Sequence, residues 1–115
     1  GAQLFELNPF LADALREAEM NLPVERGLLI LRTVDDAPAE VAGFRGSTIT
    51  TVNERRLPLG GDVIVAINGE RVNTLRDFSV YLQTKTTVGE TVDMTIIKNG
   101  EEQQVEVTLT QRPRN

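Results

Sequence analysis

The chain has 115 residues, a net charge of −5, and neither histidine nor cysteine. This length fits one domain with a single core, and the lack of cysteine excludes a disulfide framework or a thiolate metal site. Because histidine is absent, a Ser-His-Asp arrangement is excluded. Because there is no basic stripe, a nucleic-acid partner is unexpected. No apolar run approaches the roughly 20 residues that span a bilayer.

The first predicted elements are a short strand and an amphipathic helix. Residues 3–7, QLFEL, form an apolar run of strand length. Asn8-Pro9 is typical of a helix start, because Asn accepts hydrogen bonds from free N–H groups and Pro suits the first helical position. Pro23 is expected to close the helix. Its apolar face is predicted to carry Phe10, Leu11, Ala14, Leu15 and Ala18.

The middle of the chain predicts a buried strand, a helical turn and an insert. Residues 27–34, GLLILRTV, are almost continuously apolar, as in a strand buried on both faces. A short helical turn is predicted at residues 38–42. Residues 47–59 predict a hairpin-like insert, with a β-branched first arm at Thr48–Val52 and a return arm that Pro58 confines to a sheet edge.

The stretch GDVIVAINGE, residues 61–70, predicts a central strand that ends in a tight turn. Val63–Ile67 is apolar and bounded by turn residues, and Asp62 can bond nearby backbone N–H groups. Asn68-Gly69 supplies the two positive φ angles that a type I′ turn requires. We therefore expect the chain to double back after this strand.

A second helix and a hairpin complete the chain. Asn73 or Thr74 is expected to cap a helix that runs to about Thr84. One face of this helix carries Leu75, Phe78, Ser79 and Leu82. Two alternating strands follow, joined by an Asn-Gly turn, with apolar residues facing one way at Val92, Met94 and Ile96 and at Val105, Val107 and Leu109.

These elements predict a single α+β domain over residues 1–115. The expected architecture is a small, partly open, mostly antiparallel β-sandwich or barrel of five to six strands, capped by two helices. Because the chain starts in mid-element and ends in QRPRN, we expect it to be a piece of a longer protein.

The chain resembles a bacterial-type PDZ domain in three blocks, GLLILRTVDDAPAEVAGFRG, GGDVIVAINGERVNTLRDFSVYL and VDMTIIKNGEEQQVEVTL. More narrowly, it is similar to the PDZ domain that follows the protease domain in HtrA/Deg-family trypsin-like serine proteases. The family's strand order, with the peptide-binding strand first, also fits QLFEL ahead of the first helix. The sequence departs from the family at residues 47–59, since the family usually passes quickly from A-G-F/L-R to G-D.

The resemblance implies a peptide-binding module that has no catalytic residues, metal or cofactor of its own. PDZ domains bind polypeptide C-termini as an added strand, and backbone N–H groups of a Φ-Gly-Φ loop hold the carboxylate. The resemblance assigns the second half of this loop to Gly1 and Ala2, and the peptide-binding strand to Gln3, Leu4, Phe5 and Glu6. On the later helix, it assigns the groove face to Leu75, Ser79 and Leu82, with Phe78 in the core. The small Ser79 implies an open pocket for an apolar C-terminal side chain.

The resemblance also implies the partners and the location. The expected partners are C-terminal peptides or unfolded proteins with apolar ends, together with a protease domain of the same parent chain. The parent is expected to be a homo-oligomer in the periplasm or cell envelope, with membrane anchoring outside this chain.

Several alternatives stay open at the level of sequence. The longer protein that contains this domain could be a membrane metalloprotease or a secretion component. The domain itself could be a structural assembly domain that acts through the hairpin at residues 47–59, or a small enzyme. Gly27 before Leu28 mimics a Gly-Φ-Φ-Φ loop, although a turn glycine before a buried strand fits better. The face of Leu75, Ser79 and Leu82 could simply be core.

Overall fold

Eight strands and two helices make up the described parts of the chain, residues 2–33 and 45–109 of the computed structural model. In chain order they are β1 (Ala2–Leu7), α1 (Pro9–Glu17), β2 (Gly27–Thr33), β3 (Thr48–Val52), β4 (Arg55–Leu59), β5 (Val63–Ile67), β6 (Glu70–Arg71), α2 (Leu75–Lys85), β7 (Thr91–Lys98) and β8 (Glu101–Thr108). The helical turn predicted at residues 38–42 lies outside the described residues. Neither described helix is long and apolar enough to cross a bilayer.

The strands form one large sheet and one small one, and all their pairings are antiparallel. The large sheet has the spatial order β1-β2-β5-β7-β8, with β6 also paired to β5, and β3 pairs only with β4. The predicted α+β fold with a partly open, mostly antiparallel sheet is confirmed. There are more strands than the expected five to six because the short arms β4 and β6 also pair.

The large sheet is covered on both faces, which places the core in two layers. Alternation along β2 sends Leu28 and Ile30 to the face that packs against α2, and Leu29 to the face that packs against α1 and the β3–β4 hairpin. All three side chains are fully buried. The predicted burial of this strand on both faces is therefore confirmed for residues 27–30.

An irregularity in β5 adjusts this alternation. The pairing of β5 with β7 shifts between Ile64 and Ala66, so Val65 is an extra residue in the strand. Val65 packs in the α1-side cluster, while Ile64 and Ile67 both pack in the α2-side cluster. The bulge therefore keeps both isoleucines in one layer, where strict alternation would separate them.

The capping of α1 agrees with the sequence, but its end does not, and Phe10, predicted on the apolar face, is 91% exposed. Asn8 Oδ1 accepts a hydrogen bond from Leu11 N at 2.8 Å, and Pro9 is the first helical residue. The helix ends at Glu17, well before Pro23, because Glu19 adopts a left-handed φ of 69°. Met20 N then donates to Leu15 O at 3.0 Å, which satisfies a carbonyl of the last turn.

Three hairpins of the described chain turn through two residues with positive φ. Asn68-Gly69 and Asn99-Gly100 do so as predicted. The third is Asn53-Glu54, with φ angles of 50° and 66°. The hairpin predicted at residues 47–59 is confirmed, but its turn is tighter than the polar run at residues 53–56 suggested.

A buried carboxylate joins the segment just before the insert to the large sheet. Asp62, which is only 2% exposed, accepts hydrogen bonds from Arg45 N at 2.8 Å and from Lys98 Nζ at 2.9 Å. Its backbone O accepts from Ile30 N at 2.9 Å. Asp62 therefore fixes the segment just before the insert, β2 and the end of β7 to one another. The predicted bond to backbone N–H is confirmed.

Lys98→Met removes the ammonium group and keeps most of the side-chain stem, so Asp62 loses its charged partner. We expect the free energy of unfolding to fall by about 2–3 kcal/mol, because an unpaired buried carboxylate is costly. Lys85→Met is the matched control, since the Lys85–Glu70 pair at 3.6 Å is exposed and its loss should cost less than about 1 kcal/mol. Urea denaturation measures both, and equal losses would contradict this role of Asp62.

Candidate functional site

β1 stands at one end of the large sheet and is an edge strand among the described strands. It pairs with β2 from Ala2↔Thr33 to Leu7↔Gly27, and no other described strand pairs with it. Every second residue of an edge strand points its backbone N–H and C=O groups away from the sheet. β1 therefore offers a row of hydrogen-bonding groups to an incoming extended chain.

Helix α2 lies beside this open edge because both helix and strand are held in place. Its N-cap is Thr74, whose Oγ1 accepts from Asp77 N at 3.0 Å. Leu75 N donates to Glu6 Oε1 of β1 at 2.8 Å, so the beginning of the helix is bonded across to the strand. Further along, the buried Tyr81 accepts through its hydroxyl from Asn68 Nδ2 at 3.2 Å. The helix is thus anchored at its start and in its middle.

A cleft of about 360 Å³ opens where β1 ends and α2 begins. Its walls include Glu6 from the strand, Leu75 from the helix, and the polar side chains of Arg26 and Asn73. Phe5 and Leu75, which are 48% and 42% exposed, add apolar surface at this cleft. The arrangement can bind an extended chain through backbone groups and through mixed apolar and polar side-chain contacts.

Of the predicted site residues, Leu4, Phe5, Glu6 and Leu75 line this cleft, and Ser79 and Leu82 lie outside its lining. Leu4, Phe5 and Glu6 lie on β1, and Leu75, Ser79 and Leu82 lie on α2. Gly1 lies outside the described residues, and of Ala2 and Gln3 only the strand backbone is described. The roles of these residues in peptide binding stay predictions.

The predicted groove face of α2 is divided between surface and core. Leu75 is exposed and Ser79 is half-buried, whereas Leu82 packs against the α2-side core cluster. Phe78 packs against the same cluster, as expected from the sequence, and so does Leu4 on β1. Leu82 therefore serves the core at least in part, as the plainer interpretation of this face predicted.

Sequence reasoning missed three residues that shape this region. Tyr81 is the buried anchor of α2, although its position three residues after Phe78 could have indicated it. Arg26 and Asn73 line the cleft and are tied together by Arg71, which donates to Arg26 O and to Asn73 Oδ1, both at 3.0 Å. No local pattern in the sequence indicates that link.

The alternative that placed a carboxylate loop at Gly27 is wrong. β2 is paired on both sides, with β1 and with β5, so this segment has no open edge. A Cβ atom at Gly27 would lie 2.8 Å from Val63 Cγ1 and 2.9 Å from Ile64 O. Gly27 is therefore a glycine of close packing at the start of a buried strand.

The described residues offer no competing chemical site. No group of three or more carboxylate, histidine or cysteine side chains within them could hold a metal ion. Ser47 Oγ, a conceivable nucleophile, donates to Ile30 O at 2.7 Å and so ties the insert to β2. The open edge of β1 next to α2 remains the candidate site.

Comparison with known proteins gives a family match and several relatives. Residues 10–109 match the family model described as PDZ domain. The serine protease HTRA1B of Danio rerio is 29% identical over 85 residues, which are 73% of this chain and 15% of that protein. A probable periplasmic serine endoprotease DegP-like of Marinomonas sp. is 28% identical over 113 residues, which are 98% of this chain and 20% of that protein. The chain thus spans a fifth or less of the length of these two relatives.

Two solved structures share the fold at low sequence identity. The HtrA-type protease AlgW with decapeptide aligns with a TM-score of 0.70 and 21% identity, over 100% of this chain and 29% of that one. The HtrA3 PDZ domain bound to a phage-derived ligand, FGRWV, aligns with a TM-score of 0.70 and 15% identity, over 94% of this chain and 81% of that one.

The division of the α2 face leads to a paired prediction on stability. Leu82→Ala should lower the free energy of unfolding by about 1.5–2.5 kcal/mol, because it removes packing from the core. Leu75→Ala, at an exposed position of the same helix, should lower it by less than about 0.5 kcal/mol. Chemical denaturation followed by circular dichroism compares the two. A larger loss for Leu75→Ala would mean that Leu75 is a core residue and does not face a groove.

Proposed function

Because the chain belongs to the PDZ domain family, we propose that it binds the C-terminal residues of a polypeptide as an added strand along β1. The observation that carries this proposal is the open edge of β1, which lies beside a helix bonded to it through Glu6 and Leu75. The HtrA3 PDZ domain and AlgW, which share this fold, were both solved with peptides.

Strand addition accounts for affinity with little dependence on sequence. The guest backbone pairs antiparallel with the outward N–H and C=O groups of β1, and these bonds form with any residue except proline. Short segments held this way typically reach about micromolar Kd, or roughly −8 kcal/mol. Such affinity suits a domain that samples many polypeptide ends and releases them.

The start of the chain is the proposed place for the C-terminal carboxylate. Successive backbone N–H groups at a turn form a concave anion site, and Gly1 and Ala2 would contribute to it. The last side chain of the guest would then lie between β1 and the middle of α2. Ser79 is small and half-buried on α2, so in that position it would leave room for an apolar terminal residue such as the valine that ends FGRWV in the HtrA3 complex.

We also propose that the parent is an HtrA-like serine endopeptidase outside the cytoplasm. The relatives named above include serine proteases, one of them described as periplasmic. In such a parent this domain would recognise unfolded substrates or exposed C-termini and regulate a protease domain elsewhere in a homo-oligomer. A G-N-S-G-G motif with His and Asp partners upstream would support this host over a membrane metalloprotease or a secretion component.

Amidation of the guest terminus is the direct test of carboxylate binding. Peptides with an apolar C-terminal residue should bind the parent protein with about micromolar Kd as free acids. Their amides should bind at least about tenfold more weakly, because a charged hydrogen-bond acceptor is lost. Fluorescence anisotropy with matched acid and amide pairs measures this, and equal affinity across all pairs would overturn carboxylate binding.

Filling the proposed terminal pocket should block the guest and preserve the fold. Ser79→Trp places an indole between β1 and α2, so peptide affinity should fall at least about tenfold. Thr84→Trp is the control, because position 84 is exposed and lies about 140° around the helix from Ser79. Both variants should keep the wild-type circular dichroism spectrum. Unchanged affinity in folded Ser79→Trp would place the pocket elsewhere.

A further inference from the structure

The carboxylate of Glu6 is held at the end of the candidate groove that lies farthest from the chain start. Alternation along β1 puts Glu6 on the same face as Leu4, which packs in the α2-side cluster, whereas Leu7 packs in the opposite cluster. Glu6 is exposed, yet Oε1 is fixed by the 2.8 Å bond from Leu75 N. Among the described residues Oε2 has no hydrogen bond, so this oxygen is available to a ligand.

We infer that Glu6 determines specificity by selecting a basic side chain, Arg or Lys, at the guest residue that pairs directly with it. This inference rests on the proposed function, since it requires a guest strand on the open edge of β1. Directly opposed residues of antiparallel strands point to the same face, with Cβ atoms roughly 4.5–5.5 Å apart. The opposed guest side chain therefore lies next to the Glu6 carboxylate, where a cation is favoured and an acid is repelled.

The position of this guest residue follows from antiparallel pairing. If the carboxylate lies at Gly1 and Ala2, each step along β1 corresponds to one guest residue upstream. Glu6 then pairs about four residues before the C-terminus. The selected residue is thus separate from the apolar terminal residue that the Ser79 pocket would hold.

Arg26 is a positively charged residue that lines the same cleft and would repel a basic guest side chain, but its backbone lies farther from the guest than that of Glu6. Leu7 pairs with Gly27, so Arg26 belongs to the β2 side of the sheet, and β1 separates it from an added strand. Two strand spacings place its backbone about 10 Å from the guest. By backbone position Glu6, one strand spacing away, is therefore closer to the guest than Arg26.

The neighbouring surface also suits a long basic side chain. Leu75 is 42% exposed and lies beside Glu6 at the cleft. Arg and Lys pack their aliphatic stems on apolar surface while the charged end stays in water or on a carboxylate. Leu75 and Glu6 together therefore match the two parts of such a side chain. A short acidic residue would gain neither contact.

The experiment moves one charge along a neutral peptide that ends in a valine carboxylate. A single Arg or Glu is placed at each upstream position in turn, and the Kd for the parent protein is measured by fluorescence anisotropy. At one position, about four residues from the end, Arg should bind about fivefold more tightly than Glu. This preference should shrink at about 1 M NaCl, where the Debye length is roughly 3 Å.

Variants of Glu6 separate its charge from its bond to the helix. Glu6→Gln keeps an acceptor for Leu75 N and should abolish the preference, while Glu6→Lys should reverse it. Glu102→Gln, an exposed change on β8 at the far end of the sheet, should leave the preference intact.

The outcomes distinguish the two proposals. If peptides bind but show no charge preference, or if the preference survives in Glu6→Gln, the inference about Glu6 is wrong and the proposed function stands. If no peptide binds the wild-type protein, the proposed function fails and the inference falls with it.

Discussion

The outward backbone groups of an edge strand need hydrogen-bond partners, from water or from another chain. The edge strands of this structure differ in the residues that discourage pairing with another chain. At one end of the large sheet, β8 carries exposed charged and polar residues, EEQQ, at its start. In the small sheet, β4 carries Pro58, which has no N–H group to offer. Charged residues and proline both discourage pairing with another chain. β1 has no proline, and its one charged residue, Glu6, is bonded to a helix.

The rest of the architecture holds this edge in a usable state. β2 has side chains buried on both faces, so the strand next to β1 is held within the core. α2 cannot swing over the edge or away from it without breaking the Leu75–Glu6 bond and withdrawing Tyr81 from the core. An edge and a helix fixed in this way form a groove before any ligand arrives, and preorganisation lowers the entropy lost on binding.

Elements with local chemical signals could be predicted from the sequence, and contacts between distant residues could not. Asn8 and Thr74 as caps, and the Asn-Gly turns, depend on residues close in sequence, and each was found where expected. The end of α1 was misjudged because Glu19 enters the left-handed region without the glycine that usually marks it. For the site, β1 and α2 could be named through the family resemblance. The bond that joins them links residues 69 positions apart, and no local pattern encodes it.

The pairing of β1 with β2 has an irregularity between Gln3 and Leu4, where the partner advances from Arg32 to Ile30 and leaves Leu31 as an extra residue. A bulge bends the strand that carries the extra residue, here β2, and increases the local twist of the pair. A guest paired with β1 across this point would have to follow this increased twist. Chain ends already committed to a helix, or stiffened by proline, cannot follow that path. The twist of the β1 edge alone would thus favour flexible, unstructured chain ends over the termini of folded proteins.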